Sequence, residues 1–111
     1  MSKITKNEID SSFLKNINTP YIITTGSANS YIATTDQITS YYDGLAICVK
    51  IHATSTGSSS LNINSLGAVT ILDSLENNIT ANGLRKDIPY TLRFNGSNFI
   101  VKCKWVVETQ L

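Results

Sequence analysis

The side chains best suited to chemistry in this sequence are His52, Cys48, Tyr41, Tyr42 and Asp43. His52 is the single histidine, so any Ser-His-Asp or Cys-His arrangement must use it. It ends a run in which Leu45, Ile47, Val49 and Ile51 alternate with Ala46, Cys48, Lys50 and His52. That period of two predicts a strand with an apolar face and a polar one. Cys48 and His52 then share a face roughly 13 Å apart, too far for the thiol to hydrogen-bond the ring. A histidine so placed is a surface or interface residue. Cys48 and Cys103 lack metal-ligand spacing, and few His, Cys or carboxylate groups are present to converge on an ion. The Gly/Ser loops lack the Gly-Lys-Ser/Thr ending of a phosphate cradle. No pair of carboxylates stands out for acid–base work. The pattern predicts no enzyme, no cofactor and no metal.

Binding is the remaining chemistry. Tyr41 and Tyr42 precede Asp43 just ahead of the alternating run. Adjacent residues in extended chain point to opposite sides, so one tyrosine is expected in the core and the other outside. An exposed tyrosine beside a carboxylate can stack on the face of a sugar. Tyr41, Tyr42, Asp43 and His52 are therefore the candidate ligand-binding residues, against the plainer reading that both tyrosines plug one end of the domain.

The elements that must position these residues follow from composition and pattern. The chain has 111 residues, nine Lys and Arg, eight Asp and Glu, and a formal charge of +1. That length supports one domain with one core. The charge balance lacks the basic excess of a nucleic-acid binder. Only 15% of residues are charged, so Ser, Thr and Asn must cover the surface, which with Ile and Val favours strands and turns. No apolar run approaches the roughly 18 residues of a membrane span, and the first ten residues lack the apolar stretch of a secretory signal. Folding in a cytoplasm, with Cys48 and Cys103 as free thiols, is the expectation.

Residues 7–17 are the helix candidate. Asn7 can cap it, Glu8 and Asp10 fall in the first turn and Lys15 in the last. Ile9, Phe13, Leu14 and Ile17 form an apolar stripe that needs a partner, in this domain or in another chain. Pro20 closes the segment, giving residues 1–18 as a docking or oligomerisation segment and 19–111 as a β domain. Strands are expected over 21–25, 30–35, 45–53, 61–64, 68–73, 90–94 and 99–107, with 74–88 the least regular stretch. Asn95-Gly96 between alternating apolar runs marks a hairpin that places Tyr90, Leu92 and Phe94 on one face with Phe99, Val101 and Cys103. Thr91, Arg93, Lys102 and Lys104 face the other way. The fold class predicted is all-β: an antiparallel, sandwich-like domain with a short N-terminal helix. Residues 25–30 and 56–61 echo one another faintly, as two similar loop tips would.

Five stretches in order carry a resemblance: T-G-S-A-N-S-Y-I-A-T (25–34), Y-D-G-L (42–45), H-A-T-S-T-G (52–57), L-N-I-N-S-L-G (61–67) and Y-T-L-R-F-N-G-S-N-F (90–99). Together they resemble a recurrent module of bacteriophage tail fibres and baseplate appendages, over about residues 21–101. The resemblance implies a virion structural or host-adsorption protein, usually a homotrimer, that meets other tail or baseplate proteins and bacterial surface glycans, with no nucleic acid or membrane insertion. The matched Gly26, Asn29, Asp43, Gly44, Gly57, Asn62, Asn64, Gly67, Asn95, Gly96 and Asn98 read as turn formers. Ser65 stands where that family often has Gly, a departure expected to cost little. The module makes up nearly the whole sequence here, which favours a small appendage or baseplate subunit over a long fibre.

Overall fold

Apolar alternation and turn residues produce eight strands: β1 (Tyr21–Ile23), β2 (Thr25–Ser27), β3 (Ser30–Ala33), β4 (Ala46–Lys50), β5 (Ser59–Ile63), β6 (Ala68–Leu72), β7 (Pro89–Phe94) and β8 (Phe99–Val101). They are seen in a computed structural model that describes residues 19–102. The predicted helix over 7–17, with Ile9, Phe13, Leu14 and Ile17, lies outside the described residues, as do Cys103, Lys104 and Trp105. Within them the protein is all-β.

The strands form one sheet in the order β1-β4-β7-β8-β6-β5-β3-β2. This corrects the expected antiparallel sandwich. Chain-adjacent strands joined by tight turns do pair antiparallel, as β2/β3, β5/β6 and β7/β8. Three further pairs are parallel: β1/β4, β3/β5 and β6/β8. Their partners lie 27 to 30 positions apart, Tyr21 opposite Cys48, Ser30 opposite Ser60 and Ile71 opposite Phe99. Local alternation reports which side chains face inward; it carries no information on such distant neighbours. The run predicted over 45–53 also ends as a strand at Lys50, and its neighbours are β1 and β7.

β1 and β2 occupy the two ends of the strand order, yet only Thr24 separates them in the chain. Residues 21–27 therefore lie against β4 with their first half and against β3 with their second. The sheet curls to a nearly closed barrel, which shortens the edges open to stray pairing. Inside it Ile47, Leu61, Ile63, Ile71, Leu92 and Phe99 are fully buried, each contributing about 1.5–3 kcal/mol relative to exposure. Tyr90, Leu92, Phe94, Phe99 and Val101 share the inward face as the hairpin pattern predicts, with Phe94 opposite Phe99 across a four-residue loop.

The β5–β6 connection shows one locally unfavourable choice. Leu66 N–H donates to Ile63 O at 2.9 Å, and Asn64 and Ser65 stand at φ 53° and 64°. This is a type I′ turn, whose second central position favours Gly. Ser65 therefore costs more than its sequence context suggested. Ser65→Gly should stabilise the protein by about 0.5–1 kcal/mol, raising the thermal midpoint by about 2–8 °C. A calorimetric midpoint that stays or falls would contradict the turn assignment.

Candidate functional site

The loop between β3 and β4 carries both tyrosines, and Asn64 holds it in place. The Asn64 carboxamide accepts Thr35 N–H at 2.9 Å and donates to Thr35 O at 2.7 Å and Ile38 O at 2.6 Å. Further along, the two tyrosines diverge as the alternation predicts. Tyr41 packs inward, stacked on Phe94 at 5.5 Å and edge-on to Phe99 at 5.7 Å. Its hydroxyl donates to Gly67 O at 2.6 Å and accepts Ile63 N–H at 3.0 Å, leaving little of it free for a ligand. Tyr42 turns outward and is 57% exposed.

Tyr42, Asp43, Gly44 and Leu45 make a tight turn, closed by Leu45 N–H donating to Tyr42 O at 2.9 Å. Gly44 at φ 97° takes the left-handed third position, as a type II turn requires. Gly44 N–H donates to Phe94 O at 2.7 Å, fixing the turn to β7. Beside it opens a groove of about 300 Å³ lined by Thr19, Pro20, Gln37, Ile38, Tyr42, Gly44, Leu45 and Ala46. Ile38 and Leu45 belong to the buried core, while the Tyr42 ring and the Gln37 amide supply an apolar plate and a hydrogen-bonding group. Asp43 lies exposed next to it. An aromatic plate with neutral polar groups suits an uncharged polyhydroxyl ligand.

His52 is not part of this groove. It lies beyond the end of β4 opposite Ala46 and works at the seam between β1 and β2. Its Nε2 is 2.9 Å from Gly26 O, and its Nδ1 is 2.8 Å from the Thr24 hydroxyl. A carbonyl only accepts, so Nε2 carries a proton toward Gly26 O, while the single Thr24 hydroxyl proton has two acceptors in reach, His52 Nδ1 and Lys50 O at 3.3 Å. Thr24 Oγ1 also accepts His52 N–H at 3.0 Å, and the Tyr31 ring meets the imidazole edge-on at 5.7 Å. A hydroxyl within reach of an imidazole is the geometry of an activated nucleophile. Here the hydroxyl belongs to a residue only 1% exposed, with no face open to a substrate, and the pair serves as a clasp across the seam.

Cys48 sits half-buried on the outer face of β4; burial pushes its thiol up, with a hydrogen bond to Thr91 working the other way. A thiol held in the protonated form is a weak nucleophile. Burial likewise raises the Tyr31 phenol, against a lowering hydrogen bond from the Asn29 backbone and with Tyr90 adding to the rise. Its hydroxyl donates to Ala53 O at 2.7 Å. Among the described residues no three His, Cys, Asp or Glu side chains come together as ion ligands, and no helix is long and apolar enough to cross a membrane.

Three positions that sequence reasoning treated as ordinary turn or loop residues, or did not single out, prove to be long-range connectors. Asn29 accepts Thr56 N–H at 2.9 Å and the Ser59 hydroxyl at 3.3 Å, and donates to Thr56 Oγ1 at 2.7 Å. The two echoed loops at 25–30 and 56–61 thus lie side by side, continued by the parallel pairing of β3 and β5. Asn64 is the second connector. Ser55 is the third, buried and tying residues 80 and 84 to the chain segment that follows β4. Asn29 and Asn64 were flagged as turn formers; nothing local marks the second partner each one holds.

The fold and the groove define an all-β, mixed-sheet domain curled almost to closure, with an aromatic-rimmed recess beside a fixed turn. No known family model matches the chain, and no curated protein is similar to it.

Proposed function

We propose that the protein is a structural and attachment module of a bacteriophage or prophage tail or baseplate, working in the virion as a homo-oligomer, with the homotrimer as the expected form. The observation that carries this reading is what the resembling motifs do physically. Gly26, Asn29, Gly44, Asn64, Gly67 and Gly96, spread over four of the five stretches, all stand at positive φ. Asn29 and Asn64 in addition connect distant loops. The pattern therefore coincides with positions that determine a backbone, which gives a match in order more weight than shared turn composition. In this reading residues 1–18, through Ile9, Phe13, Leu14 and Ile17, dock onto other tail or baseplate proteins or onto the other copies. The groove beside Tyr42 faces bacterial surface glycan.

The mass of the full chain at micromolar concentration tests the assembly. A trimer supports the reading and a strictly monomeric species overturns it. A second reading, a stand-alone carbohydrate-binding domain, is favoured by the exposure of Tyr42 at the groove. Tyr42→Ala should weaken binding to a recognised cell-surface glycan about tenfold while leaving the thermal midpoint unchanged, since the ring contributes apolar area to the ligand and little to the core. Glycan binding by a monomer, lost in this variant, would establish the second reading over the first.

A further inference from the structure

The sequence holds two Asn-Gly pairs in exposed loops, Asn82-Gly83 and Asn95-Gly96, and the structure makes them chemically unequal. We infer that Asn95 is a site of spontaneous self-modification: in the folded protein it converts through a succinimide to aspartate and isoaspartate, whereas Asn82 is protected. In the first step the backbone nitrogen of Gly96 attacks Cγ of Asn95 and loses its proton. The Cγ–Nδ2 bond then breaks and ammonia leaves. Water opens the five-membered imide at either carbonyl, returning an ordinary aspartyl peptide or one routed through the side-chain carboxyl. One ammonia is lost and one water is gained, with no redox change.

Two features favour Asn95. Its Oδ1 accepts Ser97 N–H at 2.9 Å and Asn98 N–H at 2.8 Å. When Gly96 N adds to Cγ the negative charge develops on that same oxygen, so two fixed donors already face it, as in an oxyanion hole. Second, among the described residues no acceptor holds the Gly96 N–H, and a glycine offers no Cβ to shield its nitrogen. At the other pair the attacking nitrogen is engaged: Gly83 N–H donates to Thr80 O at 2.9 Å. The surroundings there are also tight, since a Cβ on Gly83 would lie 2.9 Å from the Ile79 side chain and 3.0 Å from Thr80 O. Asn82 itself is fixed at φ 65° with its N–H on Ser55 O at 2.8 Å. Freeing Gly83 N requires breaking a hydrogen bond that Gly96 does not make.

Conversion at Asn95 adds a negative charge at the hairpin tip, and the isoaspartyl product lengthens the backbone there by one methylene. Phe94, the adjoining residue, receives Gly44 N–H, so the change arises next to the turn that borders the groove. The test is peptide mapping by mass spectrometry of the full chain aged in mildly alkaline buffer, folded and in concentrated urea. In urea the two asparagines should convert at similar rates. In the folded protein Asn95 should convert about tenfold faster than Asn82, the factor that one retained hydrogen bond provides. Equal rates in the folded protein, faster conversion at Asn82, or folding that slows Asn95 as much as Asn82 would each overturn the assignment.

Discussion

Asn64→Asp should lower stability by about 3 kcal/mol at neutral pH, and Asn29→Asp by about 1 kcal/mol or less. The two substitutions are the same change of one atom, and the difference lies in what that atom faces. At Asn64 the Nδ2 group donates to two carbonyl oxygens at 2.6 and 2.7 Å. A carboxylate would set a charged oxygen against both, in a partly buried place, while losing two donated bonds. At Asn29 the only partner of Nδ2 among the described residues is the Thr56 hydroxyl, which can rotate and donate to a carboxylate instead. Urea denaturation of both variants measures the contrast, and the Asn64 variant should melt about 10–20 °C below the parent. Its defect should also shrink in acid. Facing two carbonyls, the new carboxyl is held protonated more firmly in the folded state than in the unfolded one. The folded protein is thus favoured below the ordinary aspartate range and loses that advantage as pH rises from that range up through the raised folded value. Equal losses in the two variants would mean that the loop bearing Tyr41 and Tyr42 is not held by Asn64.

The same comparison shows what the sequence can and cannot reveal. The inward set of β7 and β8 was legible because alternation determines facing directly, and the Asn95-Gly96 turn preserved it whatever the loop length. The opposite fates of Tyr41 and Tyr42 were legible for the same reason. The parallel pairs were not, because Ser30 against Ser60 and Tyr21 against Cys48 are contacts between segments with no shared turn. For His52 the facing was legible and the partners were not. The period of two runs on past the end of β4 at Lys50, with Ile51 buried and His52 half-buried on the opposite face. The imidazole reaches across to Thr24 and Gly26, residues whose proximity exists only once the sheet has curled.

Gly26→Ala bears on that closure and should be the more disruptive of the two substitutions at the seam. Gly26 stands at φ 90°, outside the range L residues adopt readily. A Cβ there would lie 2.7 Å from Ser30 O, a backbone atom that cannot swing aside, and 3.3 Å from the Ile32 side chain. Strain and overlap together amount to about 2–4 kcal/mol. How the protein accommodates this depends on what β2 buries, and all three of its residues are exposed. Lifting β2 from β3 therefore uncovers little apolar surface, so local opening is easier than global unfolding. The expected result is a large rise in amide exchange at residues 25–32, with exchange in the β7–β8 hairpin unchanged, and a melting point lowered by about 10 °C. His52→Ala removes the clasp without the overlap and should give the same pattern of exchange at a smaller cost, about 1–2 kcal/mol. If Gly26→Ala instead loosened the hairpin and the seam together, the barrel would be one cooperative unit whose edge strand contributes to the whole. If neither variant changed exchange at residues 25–32, residues 21–27 would not be the segment that joins the two ends of the sheet.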